Sequence, residues 1–220
     1  MSILTDPELQ VQIDRLQARS RGQEDDINSY FRQRVEAGNL SWDGLDEDAH
    51  TFFSDKLVAL DPAKAEFCHL LCRAMRARRV VEVGTSYGVS TLYLADAVRA
   101  NGGGKVVATE HEPEKAAEAR ANFLAAGLEP FIELREGDLR DTLKVLEGPI
   151  DFVLMDIWTE MVRPAMSLIT PHLRPGAAVV CDNTSQFSEA YRDYFDFIGR
   201  GGFVTRTLPF DGGLELTIRT

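Results

Sequence analysis

The chain has no uninterrupted apolar run of about 18 residues, the length a membrane-spanning helix needs. Its opening residues, MSILTDPELQ, lack the basic-then-apolar layout of a signal peptide. Basic residues are the minority charge, 24 Lys and Arg against 35 Asp and Glu, which leaves a net charge of −11. That balance argues against nucleic acid or an anionic membrane surface as the main partner. Cysteine is scarce as well. Cys68, Cys72 and Cys181 are odd in number and fall in helix or strand patterns, which is the usage of reduced thiols in a cytoplasmic protein. Cys68 and Cys72 share a helix face at i, i+4 and read as small buried hydrophobes. His50, His69, His111 and His172 show no metal-ligand spacing, and only His111 falls at a strand end. No internal repeat or low-complexity segment is present.

What is present is an ordinary apolar fraction of 44% over 220 residues, enough to bury one sizeable core. The expected division is a helical extension over residues 1–60 and an α/β domain over 61–220. Two helices are predicted within 6–38. Leu9, Ile13 and Leu16 form one apolar stripe, and Ile27, Phe31 and Val35 another; Gly22 separates them and Gly38-Asn39 ends the second. Residues 39–50, with Trp42, read as a loop and a short helix. Asp61-Pro62 opens the next helix as cap and first residue, and its basic end (Arg73, Arg76, Arg78, Arg79) suits the helix dipole.

From Val80 onward, strands and helices alternate. Strands are predicted at 79–83, 105–110, 131–135, 150–155, 177–181, 203–208 and 214–219, with helices near 88–100, 113–126, 139–146, 160–173 and 186–199. Alternation at this spacing means a parallel sheet covered by helices on both faces. The last two strands are joined only by Pro209 to Gly213, too short for a helical crossover, so they form an antiparallel hairpin. The expected fold class is therefore α/β: a Rossmann-like seven-stranded, mostly parallel sheet with a C-terminal antiparallel hairpin and an N-terminal helical extension.

In such open sheets, ligands bind beyond the carboxyl ends of the strands. Here each core strand delivers an acid to that rim: Glu82, Glu110, Asp138, Asp156 and the pair Asp182-Asn183. Like charges crowded together cost free energy unless a cation or hydroxyls meet them. The stretch VVEVGTSYGVSTLYLA supplies a buried strand, a turn and a helix whose N-terminus suits a carboxylate or phosphate. Glu110, one βα unit later, is placed to accept both hydroxyls of a ribose. The glycine pattern is E-x-G-x-x-x-G, without the third glycine of nicotinamide and flavin sites, which disfavours an oxidoreductase and a pyrophosphate-held nucleoside.

VEVGTSYGVSTLYLA, ATEHEP, REGDLRDTL, DFVLMDIW and LRPGAAVVCDN, in that order, resemble the class I S-adenosylmethionine-dependent methyltransferases. More narrowly, the chain over residues 60–220 is similar to the small cation-dependent O-methyltransferases of the catechol and caffeoyl-CoA type. The resemblance implies that Glu82, Gly84, Thr85, Ser86 and Gly88 shape the methionine pocket, with Ser90 and the helix N-terminus on the carboxylate. It implies that Glu110 and His111 lie at the ribose, and Gly137 and Asp138 at the adenine. It further implies that Asp156, Asp182 and Asn183 hold a divalent cation, Mg²⁺ by expectation, as three oxygen ligands suit a hard ion. The reaction implied is methyl transfer to a hydroxyl of a small, catechol-like acceptor, with residues 1–60 as substrate cover and a homodimer contact as a further expectation.

One position departs from the pattern. Catechol enzymes carry a lysine base three residues after the strand-four aspartate, and this chain has Thr159 in DIWTE. A positioned base is worth about 10²–10⁴-fold, so the metal at Asp156 alone, Glu160 or His111 remains to supply it. The rival from another class is a protein that binds the nucleoside without turnover. Trp42 and Trp158 could flank the substrate, though ordinary packing is the first reading of each.

Overall fold

The computed structural model describes residues 3–38 and 46–220. Trp42 and Asn39 lie outside the described residues. The chain begins with α1 (Pro7–Arg21), α2 (Glu24–Glu36), α3 (Glu47–Phe53) and α4 (Pro62–Met75). It continues with β1 (Arg79–Val83), α5 (Val89–Ala100), β2 (Lys105–Glu110), α6 (Pro113–Ala125), β3 (Ile132–Glu136) and α7 (Leu139–Thr142). The remaining elements are β4 (Ile150–Met155), α8 (Thr159–Ile169), β5 (Leu173–Asp182), α9 (Arg192–Gly199), β6 (Phe203–Leu208) and β7 (Leu214–Arg219). No described helix is long and apolar enough to cross a membrane.

The seven strands form one sheet in the order β3-β2-β1-β4-β5-β7-β6. The first five strands pair in parallel, and β7 runs antiparallel between β5 and β6. The expected Rossmann-like sheet with a reversed hairpin is thus the observed one. The order steps outward from β1 to β3, then restarts at β4 on the other side. That reversal between β1 and β4 is the crevice at which such sheets take their ligands.

The pleat sorts the side chains into two cores. Val80, Leu154 and Val180 join α1, α4 and α5 on one face. Val81, Val83, Val153, Met155 and Val179 join α7, α8 and α9 on the other. Because side chains alternate with period two, Glu82, Asp156 and Asp182 follow Val80, Leu154 and Val180 onto the α4–α5 face. Leu9, Ile13 and Leu16 of α1 lie in the same cluster as the sheet residues. The Asp-Pro starts behave as expected. Asp6 accepts from the N–H of Glu8 and Leu9, and Asp61 from those of Ala63 and Lys64, contacts each worth about 1 kcal/mol.

Several expected elements differ. The second apolar stripe does not reach the core: α2 has no buried residue and Val35 is exposed, while Ile27 and Phe31 line a cavity instead. The helix expected over 139–146 is a single turn, α7. The helix expected over 160–173 ends at Ile169 and tightens into a 3₁₀ turn through Pro171. The helix expected over 186–199 starts only at Arg192, because Ser185, Gln186 and Phe187 spend their N–H groups on Gly212 and Asn183 carbonyls. Strand β5 is longer than expected and begins at Leu173.

Candidate active site

The rim of the sheet around β1 and β4 opens onto a cavity of about 620 Å³. Its floor is the turn after β1. Gly84 has φ +93°, and a side chain there would meet the Asp156 carbonyl oxygen at 1.9 Å. Asp156 in turn donates its backbone N–H to the Val83 carbonyl at 3.0 Å. The turn after β1 and the end of β4 are therefore in backbone contact, which only a glycine permits.

Glu110 ends β2 and acts as a clip. One carboxylate oxygen accepts from the Ser86 N–H at 2.6 Å, and the other from the N–H groups of His111 and Glu112, both at 2.8 Å. Its carbonyl accepts from the Gly137 N–H at 2.8 Å, which draws the turn after β3 to the same rim. Asp138 caps α7 through the Arg140 N–H and pairs with the Arg140 guanidinium. Those bonds, the guanidinium's first, pull its carboxyl down to about 2.

Of the residues expected at the site, Gly84, Thr85, Ser86, Ser90, Glu110, His111, Gly137, Asp138, Asp156, Thr159, Glu160, Asp182 and Asn183 all line this cavity. Glu82 and Gly88 do not. Glu82 is fully buried on the α5 side of β1, where Thr85 donates to its carboxylate at 3.1 Å and Thr91 also bonds it. It underpins the turn from below. Gly88 (φ +89°) lies against the Phe123 ring, which a side chain would strike at 2.3 Å. Trp158, read from sequence as packing, is 40% exposed at the cavity, edge-on to Phe53 with centroids 5.3 Å apart.

Burial raises the Glu82 carboxyl to about 7, against lowering by the Thr91, Ser90 and Thr85 hydroxyls, with Glu110 adding a further upward push. Asp156 is pushed well up by burial and by its neighbours Asp182 and Glu82, and Asp182 is raised by burial despite Lys64. The linkage has a definite sign. Between about pH 4.5 and 7 the folded chain keeps a proton on Glu82 that the unfolded chain has released, so stability falls as pH rises through that window and levels off above it. The Glu82 share is about 3 kcal/mol. Asp156 and Asp182 act in the same direction. In urea melts at pH 5 and pH 7.5, Glu82→Gln is expected to flatten the difference; an unchanged difference would refute the assignment.

The expected cation set is where sequence and structure part. Asp182 Oδ1 lies 2.5 Å from Lys64 Nζ and accepts the Asn183 N–H at 2.8 Å, while Asn183 Oδ1 lies 3.4 Å from the same ammonium. Two of the three expected ligands, Asp182 and Asn183, are thus turned to a lysine that is only 3% exposed. As built, this donor set holds an internal ammonium and does not fit a divalent ion. Lys64 was missed in the sequence, although it lies one turn before Cys68 and two before Cys72 on the same buried face of α4.

The outer wall is aromatic. Tyr30 stacks on Phe52 at 4.0 Å, Phe52 meets Phe53 edge-on, and Phe53 meets Trp158. Lys115 on α6 fixes this wall by donating to the Phe53 carbonyl at 2.8 Å, and the Tyr87 hydroxyl donates to the Asp55 carbonyl at 2.8 Å.

Comparison with known proteins agrees with this geometry. A methyltransferase-domain family matches residues 81–184. The catechol O-methyltransferase of Niastella koreensis is 32% identical over 134 residues, covering 57% of this chain and 58% of the relative. That of Mycobacterium tuberculosis is 37% identical over 127 residues, covering 57% of each. The matches thus span less than two thirds of those relatives. The crystal structure of an O-methyltransferase from Bacillus cereus in complex with SAH superposes with a TM-score of 0.73 at 22% identity, over 99% of this chain and 93% of that one. Residues 81–184 are thus similar to a methyltransferase-domain family, and the chain as a whole shares the Rossmann-like fold of the O-methyltransferase it superposes on.

Proposed function

We propose that this chain transfers the methyl group of S-adenosylmethionine to a hydroxyl oxygen of a small, flat, catechol-like acceptor. The observation that carries the reading is one cavity with two chemistries. Its sheet side offers hydroxyls, backbone N–H groups and carboxylates from Ser86, Ser90, Glu110 and Asp138, and its outer side offers Phe31, Phe53 and Trp158. The first suits a charged, hydroxylated nucleoside, with the free N–H groups at the start of α5 facing its carboxylate. The second suits an aromatic ring. Residues 1–60 would serve as the cover that supplies this aromatic wall.

The acceptor oxygen attacks the methyl carbon from the side opposite sulfur. The C–O bond forms, the C–S bond breaks, and S-adenosylhomocysteine leaves. Sulfonium needs no activation, so the protein's task is alignment, which can supply roughly 7–11 kcal/mol. The hydroxyl proton passes to the rim, where Asp156 lines the cavity and Thr159 and Glu160 open α8 beside it. No step is routed through a divalent ion.

S-adenosylhomocysteine should raise the melting temperature, by the equivalent of about 2.7 kcal/mol at a hundredfold excess over its dissociation constant. A catechol panel should then yield methylated product. The absence of both a shift and a product would sink the proposal. Trp158→Ala should raise KM for the acceptor about tenfold, with kcat and S-adenosylhomocysteine affinity unchanged, because it removes contact area made equally before and during transfer. A fall in kcat alone would contradict that role.

A further inference from the structure

We infer that the site carries its own cation, the ammonium of Lys64, where related enzymes are expected to hold a divalent metal, and that methyl transfer here is independent of divalent ions. The inference rests on the methyl-transfer reading above. Lys64 Nζ contacts Asp182 Oδ1 at 2.5 Å and Asn183 Oδ1 at 3.4 Å, so it occupies oxygens of two of the three residues expected to ligate the ion.

The lysine is fixed from its backbone outward. Asp61 accepts the Lys64 N–H at 3.3 Å as the cap of α4, and the stem is buried on the face that also carries Cys68 and Cys72. Lysine is rarely this buried unless paired. The Lys64–Asp182 pair is neutral as it stands. A divalent ion on the same oxygens would sit beside a fixed positive charge, or would have to drive the ammonium into the apolar cluster around Ala65 and Cys68. Both alternatives oppose binding. Lys64 lies behind Asp182 and Asn183, which face the cavity, so it is a positioning residue. It orients those two side chains toward the acceptor by charge, as a metal would by coordination.

The test is Mn²⁺ titration followed by electron paramagnetic resonance, on the full chain with S-adenosylhomocysteine present, for wild type and Lys64→Ala. Wild type should leave added Mn²⁺ free, while Lys64→Ala, with the cradle opened, should bind an ion. Chelator should change wild-type turnover by less than about twofold, whereas loss of a metal that aligned or polarised the reactants would slow it about a hundredfold or more. Lys64→Ala should become slow in chelator and recover with Mg²⁺, a gain that loss of a purely structural lysine would not produce. The inference is overturned if wild type binds an ion that Asp182→Asn removes, if chelator halts wild-type turnover, or if folded Lys64→Ala binds the nucleoside but takes no ion. The wild-type titration decides even if the variant does not fold. Nucleoside affinity in the same samples reports separately on whether the methyltransferase reading stands.

Discussion

Gly84→Ala should destabilise the fold by about 2–5 kcal/mol, more than any other single methyl added at the rim. Two effects combine. At φ +93° an alanine pays for a left-handed backbone, about 1–2 kcal/mol. Its methyl would also lie 1.9 Å from the Asp156 carbonyl oxygen and 2.9 Å from the carbonyl carbon. Backbone cannot step aside as a flexible side chain can, so overpacking of this kind adds about 1–3 kcal/mol. Relief requires the end of β4 to separate from the turn, which breaks the Asp156 N–H to Val83 bond and moves Asp156. Urea denaturation measures the loss. A variant within about 1 kcal/mol of wild type would mean that the β1 turn and β4 are not in the contact described.

Glu110→Gln should weaken S-adenosylhomocysteine binding about a hundredfold, with a smaller loss of stability. The native carboxylate accepts three backbone N–H bonds, two on one oxygen and one on the other. Glutamine keeps the shape but has one oxygen. Its amide nitrogen must face at least one of those donors, leaving it unpaired, and the charge that a ribose hydroxyl would meet is gone. Hydrogen bonds to charged groups are worth about 1.5–3 kcal/mol each, so the one lost at the nucleoside accounts for up to about two decades, and the one lost at Ser86 appears in stability. Isothermal titration calorimetry gives the affinity directly. Binding within threefold of wild type, about 0.7 kcal/mol, would remove Glu110 from the nucleoside site.

Much of this was readable in the sequence because the relevant physics is local. The β-branched run at Val80–Val83 and the short link 209–213 gave the parallel core and the reversed hairpin, and the observed sheet has both. Strand ends mark the rim, so most expected site residues line the cavity. What escaped depended on long-range contact. Glu82 was placed on the rim, but it pairs level with Leu154, two residues below Asp156, and at that depth it is buried against Thr91. The α2 stripe looked like a core stripe because periodicity cannot tell a core from a cavity wall. Lys64 escaped because a single lysine on an otherwise apolar helix face ordinarily reads as a chain that bends out to water. Only the 118-residue separation closed by the fold gives it Asp182.

Since Glu82, Asp156 and Asp182 stand on one side of the pleat, gene lineages descended from this one are constrained in how they accept insertions. Adding or deleting one codon within β4 or β5 would carry the terminal acid through the sheet to the α8–α9 side, among Val153 and Val179; in β5 it would leave Lys64 opposite Cys181 or Asn183 in place of Asp182. Length changes in these two strands should therefore survive only in pairs, while the loops that enter them stay free to vary.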